Sequence, residues 1–375
     1  MKIGLITTIG TNIGDDFIRE GICNVLRCVF GPNVPSFVLI NKHVPEMLYP
    51  GWHPYHLARL LQRLPRGGGR ARQWAERLVS SVGLTAFDRC DLIVQCGAPV
   101  VWEGCGLTTQ WRQQIWEQVV GRLHKRIPVC NLAAGSCYAW ERQPHSVQTE
   151  ADIVYLRRIF DLCRLTTVRD QVARMLFKSI ERDAELLVCS AFLAPTGENP
   201  LNGDEAPILV NYMHVGGHYD WGQQINPDQW KSTFAELICR LSKRHRLVLL
   251  CHNDDELRLA ERLFPDLLRC CPRTLPEYFD FVSKAKGAIC NRLHACVALA
   301  GLGIPSVAVG TDTRLLMVKF LGLPCYYVKE AAPAQIEESI ELLLNGRRNE
   351  HERLFELKRT TFLRYAALLR QTLFN

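Results

Sequence analysis

Short apolar runs alternate along the chain with longer segments in which apolar residues recur at helical spacing. The run at residues 3–7 is followed by Phe17, Ile18, Ile22 and Leu26, which recur every three or four positions. Because the short runs are apolar at successive positions, they are typical of strands that a sheet buries on both faces. Strands of this kind that alternate with helices predict parallel α/β sheets. The other predicted strands are residues 36–40, 92–95, 128–133, 165–168, 208–212, 246–251, 288–290 and 306–309. The other predicted helices are residues 109–122, 151–163, 171–177, 227–243, 255–264, 292–300 and 314–321.

A break in this alternation lies at residues 195–207. The segment has the sequence PTGENPLNGDEAP, and its three prolines, two glycines and few large apolar residues are typical of a linker. Because strands alternate with helices on both sides of it, we predict two Rossmann-like domains, with ligands bound in the cleft beyond the carboxyl ends of their strands. The predicted units are an N-terminal domain (residues 1–195), a linker (196–207), a C-terminal domain (208–345) and a helical segment (346–375) that packs back on the N-terminal domain.

The composition of the 375-residue chain is that of a globular protein, with 47% hydrophobic and 22% charged residues, which excludes wholesale disorder. Its 45 basic and 38 acidic residues give a net charge of +7, a mild excess that favours anionic partners without indicating nucleic acid. The most apolar stretch, residues 295–310, is interrupted by Gly301, Gly303 and Pro305 and is shorter than the roughly 20 residues of a membrane span. The first residues lack the apolar core of a signal peptide. We therefore expect a cytoplasmic protein with no nucleic-acid partner.

Sixteen cysteines lie mostly within apolar runs, as Cys130, Cys251 and Cys290 do, and no C-x-x-C pair is present. This context predicts buried, reduced thiols that act as small apolar residues, as in a reducing compartment.

A basic stretch, residues 57–77, holds six arginines around three consecutive glycines. Cations close to anionic lipid contribute about 1 kcal/mol each, so one interpretation is contact with the inner membrane face or with a pyrophosphate-linked acceptor. The alternative is a solvated helix and loop.

A glycine-containing turn, GTNIGDD at residues 10–16, joins the first strand to the first helix. Glycine permits a tight turn, and the helix N-terminus offers free N–H groups to an anion or a sugar hydroxyl. Asn12, Gly14 and Asp15 are therefore candidate substrate contacts. The turn lacks the lysine of a P-loop and the spacing of a G-x-G-x-x-G motif. The alternative is a structural turn that Asn12 orders and in which Asp15 complements the helix dipole.

The segment Asn291-Arg292-Leu293-His294-Ala295 ends one predicted strand and opens a helix of small residues. An arginine and a histidine at such a position supply a fixed cation and a titratable group that face one anion. The alternative is a structural histidine.

Three further segments follow predicted strands. Val168-Arg169-Asp170 is, as an isolated tripeptide, better explained as a surface ion pair with a helix cap than as a functional site. Residues 214–221 carry His214 and His218, which favour substrate contact over a metal site because no helical spacing aligns them. Residues 252–256 are explained by a helix cap.

The blocks Asn12-Ile13-Gly14-Asp15, Val168-Arg169-Asp170 and Asn291-Arg292-Leu293-His294-Ala295 together resemble the signature blocks of the polysaccharide pyruvyl transferase family. The last block continues through Gly303-Ile304-Pro305 to Arg314 and residues 321–323. The blocks occur in the family's order and cover residues 2–328. The R-L-H-A block with its downstream G-x-P is the most specific of them.

The resemblance implies a GT-B-like pair of Rossmann-like domains. It also implies transfer of a pyruvyl group from phosphoenolpyruvate to two hydroxyls of a sugar, which forms a cyclic ketal. We expect no further cofactor and assign no metal ligands, and the question of metal dependence stays open. Arg169, Arg292 and His294 match positions that the family uses for donor binding and catalysis, and Asp15 matches its N-terminal acid. We expect His294 to act as acid or base, the arginines to hold the donor, and Asp15 to position an acceptor hydroxyl.

The chain departs from the family pattern at three places. It has Cys96-Gly97-Ala98-Pro99 after the third strand, Cys189-Ser190 before Ala191, and Arg314 where a lysine is usual.

Three functions follow as hypotheses. The first is a ketal pyruvyltransferase acting on a lipid-linked or nucleotide-linked sugar of a cell-surface polysaccharide precursor. The second is a GT-B-type glycosyltransferase that uses a nucleotide-activated sugar, and the third is a non-catalytic binding protein. The acceptor sugar and the oligomeric state, a homo-oligomer included, stay open.

Overall fold

The computed structural model describes residues 1–10, 13–31, 34–62, 82, 84–97, 99–107, 111–197 and 201–374. Within these residues the chain forms two sheets whose paired strands all run parallel. The strands of the first sheet are β1 (Lys2–Thr7), β2 (Ser36–Asn41), β3 (Leu92–Cys96), β4 (Pro99–Val101), β5 (Val129–Ser136), β6 (Leu165–Val168) and β7 (Glu185–Leu186). Those of the second are β8 (Ile208–Asn211), β9 (Leu247–Leu250), β10 (Leu268–Cys270), β11 (Gly287–Cys290), β12 (Ser306–Gly310) and β13 (Cys325–Tyr327).

Helices connect the strands in both halves. They are α1 (Ile13–Phe30), α2 (Pro54–Gln62), α3 (Gly121–Leu123), α4 (Glu150–Leu162), α5 (Gln171–Ser179), α6 (Pro227–Leu241), α7 (Asp254–Leu263), α8 (Leu275–Val282), α9 (Leu293–Ala300), α10 (Leu315–Phe320), α11 (Pro333–Asn345) and α12 (Arg347–Phe374). A π-helical segment, Trp111–Val120, leads into α3, and 3₁₀ turns cover Pro45–Leu48, Ala86–Arg89, Trp140–Arg142 and Ser190–Leu193.

The strand orders are those of doubly wound folds. The first sheet has the order β2-β1-β3-β5-β6-β7, with β4 on β5, and the second has the order β10-β9-β8-β11-β12-β13. In each sheet the order reverses once, between β1 and β3 in the first and between β8 and β11 in the second. Such reversals open a crevice at the carboxyl ends of the strands.

Both sheets are buried on both faces, as the continuous apolar runs predict. In β8, for example, Leu209 belongs to one apolar core, whereas Ile208 and Val210 belong to another on the opposite face. The core that contains Leu209 also contains Ile3 and Leu5 of β1 and much of α1 and α9. The two halves therefore share one continuous apolar core.

Each predicted strand is present with shifts of up to three residues at its ends. The strands that the sequence pattern missed are β4, β7, β10 and β13, each of two or three residues. The last three lie at sheet edges, and so short a strand is too brief to show an apolar period.

Helix α12 crosses from the second half to the first. Its Tyr365 hydroxyl donates to the carbonyl of Val188 at 3.0 Å, and its Lys358 Nζ donates to the carbonyls of Pro195 and Gly301 at 2.8 Å each. The domain boundaries drawn from the sequence stay a prediction, but these contacts place the C-terminal helix against both halves.

All sixteen cysteines carry free thiols, and ten of them are buried. In the part of the chain that the structure describes, no helix has the length and apolar character needed to span a bilayer.

Candidate active site

The candidate residues meet where the strand order of each sheet reverses. Asp15 follows β1 in the first half, Arg292 and His294 follow β11 in the second, and Arg314 follows β12. Since ligands of such sheets bind beyond the carboxyl ends of the strands at a reversal, this cleft is the expected site.

Two adjoining cavities occupy the cleft. The outer one has a volume of about 590 Å³ and the inner one about 20 Å³, room for about one or two water molecules. The two cavities share the side chains of His218, Arg292, His294 and Arg314. The outer cavity is also lined by Thr8, Asp15, Lys42, His43, Trp102, Cys137, Tyr219, Trp221 and Asn253.

Arg292 is held at the start of α9 by two polar contacts. Its backbone N–H donates to Asn211 Oδ1 at 2.8 Å, and its Nε donates to Glu256 Oε1 at 2.6 Å. Among the described residues no partner contacts its two terminal nitrogens, and the side chain lines both cavities. The guanidinium is thereby fixed at one edge and open to an anion at the other.

Glu256 is the buried counter-charge of Arg292, and it is not among the site residues that the sequence motifs predicted. It also accepts from the backbone N–H of His252 at 2.9 Å and from Asn211 Nδ2 at 3.0 Å. Although burial acts in the opposite direction, hydrogen bonds from His252 and the charges of His252 and Arg292 lower the pKa of Glu256 to about 2. The predicted helix cap is present beside it, because the Asn253 side chain accepts from the Glu256 N–H. An acid four residues after a strand-end histidine is the signal that could have revealed it.

Arg314 is fixed by Asp312, which is almost completely buried. Arg314 Nε donates to Asp312 Oδ1 at 2.9 Å, and Nη2 donates to Oδ2 at 2.6 Å. The guanidinium carbon also lies 5.2 Å from the ring centre of Tyr219. The arginine that stands in place of the family's usual lysine therefore lines both cavities with a rigidly held, permanently charged group.

His294 is buried and lies against a second buried cation. Arg169 Nη1 lies 3.1 Å from His294 Nε2. Because a guanidinium can only donate, Nε2 must accept and the ring proton must reside on Nδ1. Burial, and then the charges of Arg169, Arg314 and Arg292, hold the pKa of His294 well below its usual value. At neutral pH the ring is therefore uncharged and carries its proton as an N–H at Nδ1.

Arg169 itself is fully buried and is not the surface ion pair that the isolated tripeptide allowed. Its Nε and Nη2 have no hydrogen-bond partner among the described residues, and Cys189 Sγ lies 3.8 Å from Nη1. A side chain at Gly135 would collide with the guanidinium, so the glycine makes room for it. In this conformation Arg169 lies behind His294 rather than on the cavity surface.

Asp170 caps α5 and joins the two halves. It accepts from the Ser136 hydroxyl at 2.7 Å and from the Ala173 N–H at 2.8 Å. The Ser136 oxygen lies 2.8 Å from the hydroxyl of Thr313, which accepts from the Tyr138 N–H at 3.1 Å. The aspartate of this block therefore has a structural role, as a helix cap and as one end of a hydrogen-bonded link between the two halves.

Lys42 is a cavity residue that the sequence analysis missed. It follows β2, and its side chain lines the outer cavity with Asp15. Burial lowers the pKa of Lys42, whereas the charge of Asp15 opposes that effect. The sequence signal that could have indicated Lys42 is its position directly after a predicted strand. The order of strands that brings β2 beside β1 could not be deduced from the sequence.

Of the remaining candidates, some line the cavities and others do not. Gly14 lines the inner cavity. His218 lines both cavities. Partial burial of its ring, and then the charges of Arg314 and Arg292, lower the pKa of His218 to about 4. His214 lies in an exposed turn and lines neither cavity. Asn12 lies outside the described residues.

Within the described ranges, no group of three or more His, Cys, Asp or Glu side chains is placed to hold a metal ion.

Comparison with known proteins bears on both fold and family. The model of the family "Polysaccharide pyruvyl transferase" matches residues 12–313, and no curated protein matches the chain. Similar solved structures include a UDP-GlcNAc 2-epimerase from Neisseria meningitidis bound to UDP-GlcNAc, with 11% identity and a TM-score of 0.54 over 100% of both chains. Another is the UDP-GlcNAc 2-epimerase from Methanocaldococcus jannaschii in complex with UDP-GlcNAc and UDP, with 14% identity and a TM-score of 0.51 over 97% of this chain and 99% of that one.

At these identities the structural likeness concerns the fold, and it confirms the predicted GT-B-like pair of Rossmann-like domains. The family match covers most of the chain and includes all three blocks of the cleft. The chain therefore belongs to the polysaccharide pyruvyl transferase family, and it is a transferase.

Proposed function

We propose that this protein transfers the pyruvyl group of phosphoenolpyruvate to two hydroxyls of a sugar in a cell-surface polysaccharide precursor, which forms a cyclic ketal. The observation that carries the proposal is the convergence of Arg292, His294 and Arg314 on one pair of cavities. This convergence suits a small donor that carries both a phosphate and a carboxylate.

The two arginines suit the donor because each is fixed by its own buried acid. Glu256 and Asp312 orient the guanidinium groups and leave further N–H groups for the substrate, so donor binding requires little ordering of side chains. Phosphate and carboxylate are the anions that arginine binds best through paired hydrogen bonds. The N-terminus of α9, where Arg292 and His294 lie, adds a favourable dipole.

His294 contributes a neutral N–H donor at Nδ1. We assign it to the phosphate or carboxylate of the donor, where a hydrogen bond stabilises negative charge as the phosphate leaves. Its acid–base role stays a prediction, and it would require Arg169 to release Nε2.

The reaction requires one proton on the methylene carbon of phosphoenolpyruvate, which leaves an oxocarbenium-like centre at C2. One acceptor hydroxyl adds there, the C–O bond to phosphate breaks, and the second hydroxyl closes the ring. The two hydroxyls lose two protons, of which one balances the new methyl group and the other leaves with phosphate. Asp15 lines the outer cavity and is our candidate for the group that accepts a hydroxyl proton.

The acceptor is proposed to occupy the outer cavity. Trp102, Tyr219 and Trp221 supply apolar ring surfaces there, and Lys42 adds a basic side chain that is separate from the donor arginines. A sugar that bears a phosphate, lipid-linked or nucleotide-linked, matches this combination of rings and charge.

The test is donor turnover with lipid-linked and nucleotide-linked sugars. Phosphate release that depends on the acceptor, together with a product 70 Da heavier than the acceptor by mass spectrometry, would support the proposal. A matched pair of variants, Arg292→Met and the exposed Arg262→Met, separates donor binding from a general loss of charge. Release of nucleotide from an activated sugar, without use of phosphoenolpyruvate, would instead identify a glycosyltransferase and refute the proposal.

A further inference from the structure

His218 lies in the loop that follows β8, at the place where the two cavities of the cleft adjoin. Its side chain lines both cavities, together with those of Arg292, His294 and Arg314. The proposed function places the donor against the two arginines and the acceptor in the outer cavity. A group that lines both cavities therefore faces the sites of both substrates.

The loop that carries His218 is fixed on the end of β12. Gly217 packs so closely against the side chain of Thr311 that an added methyl group would collide with it. On the other side of His218, the Thr311 hydroxyl donates to the carbonyl of Tyr219. Gln223 Nε2 donates to the Thr311 carbonyl at 2.9 Å. The backbone is thus anchored before and after His218, so its ring is presented by an ordered loop.

The ring nitrogens of His218 are free to exchange a proton. Among the described residues, no group makes a hydrogen bond with either of them, and the ring packs edge-on against Tyr219 with ring centres 4.3 Å apart. By contrast, Nε2 of His294 is held by Arg169 at 3.1 Å, and a neutral imidazole does not release its remaining N–H proton near neutral pH. In this arrangement His294 can donate a hydrogen bond, whereas His218 can transfer a proton.

The other titratable side chains are less well placed to serve both substrates. Apart from the arginines and His294, no further titratable group of the described chain lines both cavities. The outer cavity alone is lined by Asp15, Lys42, His43, Cys137 and Tyr219, and the inner cavity alone by His252 and Asp312. Asp312 holds Arg314, and the two ring nitrogens of His252 lie 3.2 and 3.3 Å from other side chains. His218 is therefore the group best placed to move a proton between donor and acceptor.

Two cations control the charge of His218 in the free protein. Partial burial of the ring, and then the charges of Arg314 and Arg292, lower the pKa of His218 to about 4. Asp312 and Glu256 act in the opposite direction. The ring is therefore neutral near pH 7. An anion that binds the arginines offsets their charge, and a negative charge nearby favours the protonated form of an imidazole. Donor binding and protonation of His218 are thus coupled through the same two arginines.

We propose that His218 is the catalytic residue that protonates the donor and then accepts the proton of the first acceptor hydroxyl. This inference rests on the proposed function. With phosphoenolpyruvate bound, the protonated ring gives its proton to the methylene carbon, where the electrons of the C=C bond form the new C–H bond. The neutral ring then takes the proton of the first hydroxyl as its oxygen bonds to C2. The proton of the second hydroxyl passes to Asp15 and leaves with phosphate, so His218 is protonated again at the end of the reaction.

The first test is the number of protons taken up when phosphoenolpyruvate binds, measured by calorimetry at pH 7.5 in buffers of different ionisation enthalpy. At this pH the donor phosphate has lost its second proton, since the pKa for that proton is about 6. We expect the parent to take up about half a proton or more in excess of the variant His218→Gln. The control His214→Gln changes an exposed histidine of the same loop that lines neither cavity, and it should match the parent.

The second test is acceptor-dependent release of phosphate with the lipid-linked and nucleotide-linked sugars named above. In His218→Gln, kcat should fall by about 100-fold or more, the usual contribution of general acid–base catalysis. The dissociation constant of the donor should rise by less than about tenfold, because only the coupling to protonation is lost. A positioning role in donor binding would instead raise that constant and leave kcat unchanged.

Three results would overturn the inference and leave the proposed function standing. They are equal proton uptake by the parent and His218→Gln, a kcat of His218→Gln within about threefold of the parent, and an equal loss of turnover in His214→Gln. The last would show that the loop, and not the ring of His218, is responsible. A parent that does not bind phosphoenolpyruvate, or that releases no phosphate with any of these sugars, would instead refute the proposed function and this inference with it.

Discussion

At the scale of single residues, the arrangement around His294 differs most from a simple acid–base site. Arg169 is a fully buried cation, and two of its nitrogens have no partner in the described part of the chain, which is unfavourable for stability. It also fixes the tautomer and orientation of His294. The role that we assign to this buried cation is therefore the placement of His294.

We predict that Arg169→Met leaves the free energy of unfolding unchanged or raises it by about 1 kcal/mol. Methionine is of similar length, and it removes a buried charge that has no counter-ion beside it. Turnover of phosphoenolpyruvate should fall by about 100-fold or more, since the ring of His294 is no longer held in place. The pKa of His294, followed by NMR, should rise towards its usual value. Denaturant titration and steady-state kinetics complete the measurement, with Arg262→Met, an exposed site, as the control. An unshifted His294 pKa together with normal turnover would show that Arg169 does not position the ring.

The low pKa of His294 also makes stability depend on pH. In the unfolded chain the imidazole has a pKa of about 6.5, whereas the folded protein holds that pKa well below this value. As the pH falls below about 6.5, the unfolded chain takes up a proton that the folded protein cannot, so this contribution to stability is lost.

We therefore predict that wild-type protein loses up to about 1.4 kcal/mol of unfolding free energy per pH unit below pH 6.5, relative to His294→Gln. Denaturant titrations of both proteins between pH 7.5 and 5.5 measure the difference, in which the titration of other shared groups cancels. Parallel pH profiles for the two proteins would mean that His294 titrates normally.

The sequence predicted some of these residues and not others, for physical reasons. Asp15, Arg292 and His294 could be placed because parallel strands deliver their carboxyl ends to one edge of a sheet. The burial of Arg169 could not be predicted, because burial depends on how the two halves pack together. His214 follows a strand as His218 does, but the turn directs it to solvent. Strand-end position therefore identifies candidates, and the loop conformation selects among them.

At the scale of elements, α1 is anchored by unusually close backbone packing. Gly21 of this helix faces the 3₁₀ turn Ser190–Leu193, and a methyl group there would overlap the carbonyl of Ser190. Asn24 Nδ2 also donates to the carbonyl of Leu193 at 3.0 Å. The helix that carries Asp15 in its first turn is therefore positioned through a glycine contact in its middle.

We predict that Gly21→Ala destabilises the protein by about 3 kcal/mol or more, as expected where a rigid backbone must shift. The gain of about 1 kcal/mol in helix propensity from alanine is too small to compensate. Gly203→Ala is the matched control, because no described residue lies within 4 Å of its added methyl group. Denaturant titration of both variants decides the matter, and equal stabilities would show that α1 can move away from the turn at little cost.

At the scale of the whole molecule, the cleft depends on how the halves are joined. The hydrogen bonds run from the Tyr138 N–H to the Thr313 hydroxyl, on to the Ser136 hydroxyl, and from there to Asp170. Because Ser136 donates to Asp170, its oxygen accepts from Thr313, so each member of this chain is satisfied. Thr313 directly follows Asp312, which lines the inner cavity and holds Arg314.

We predict that Thr313→Val, which keeps the shape but removes the hydroxyl, destabilises the protein by about 1–3 kcal/mol, because it leaves the Tyr138 N–H and the Ser136 hydroxyl oxygen without their partner. Affinity for phosphoenolpyruvate should fall as well, since Arg314 stands on the same loop as Thr313 and depends on its placement. Thr313→Ser restores the hydroxyl and should recover most of the affinity despite the lost methyl group. Denaturant titration and calorimetry on the three proteins separate the two effects. If the valine variant binds the donor as tightly as the wild type, the junction between the halves is a structural contact that does not position the donor site.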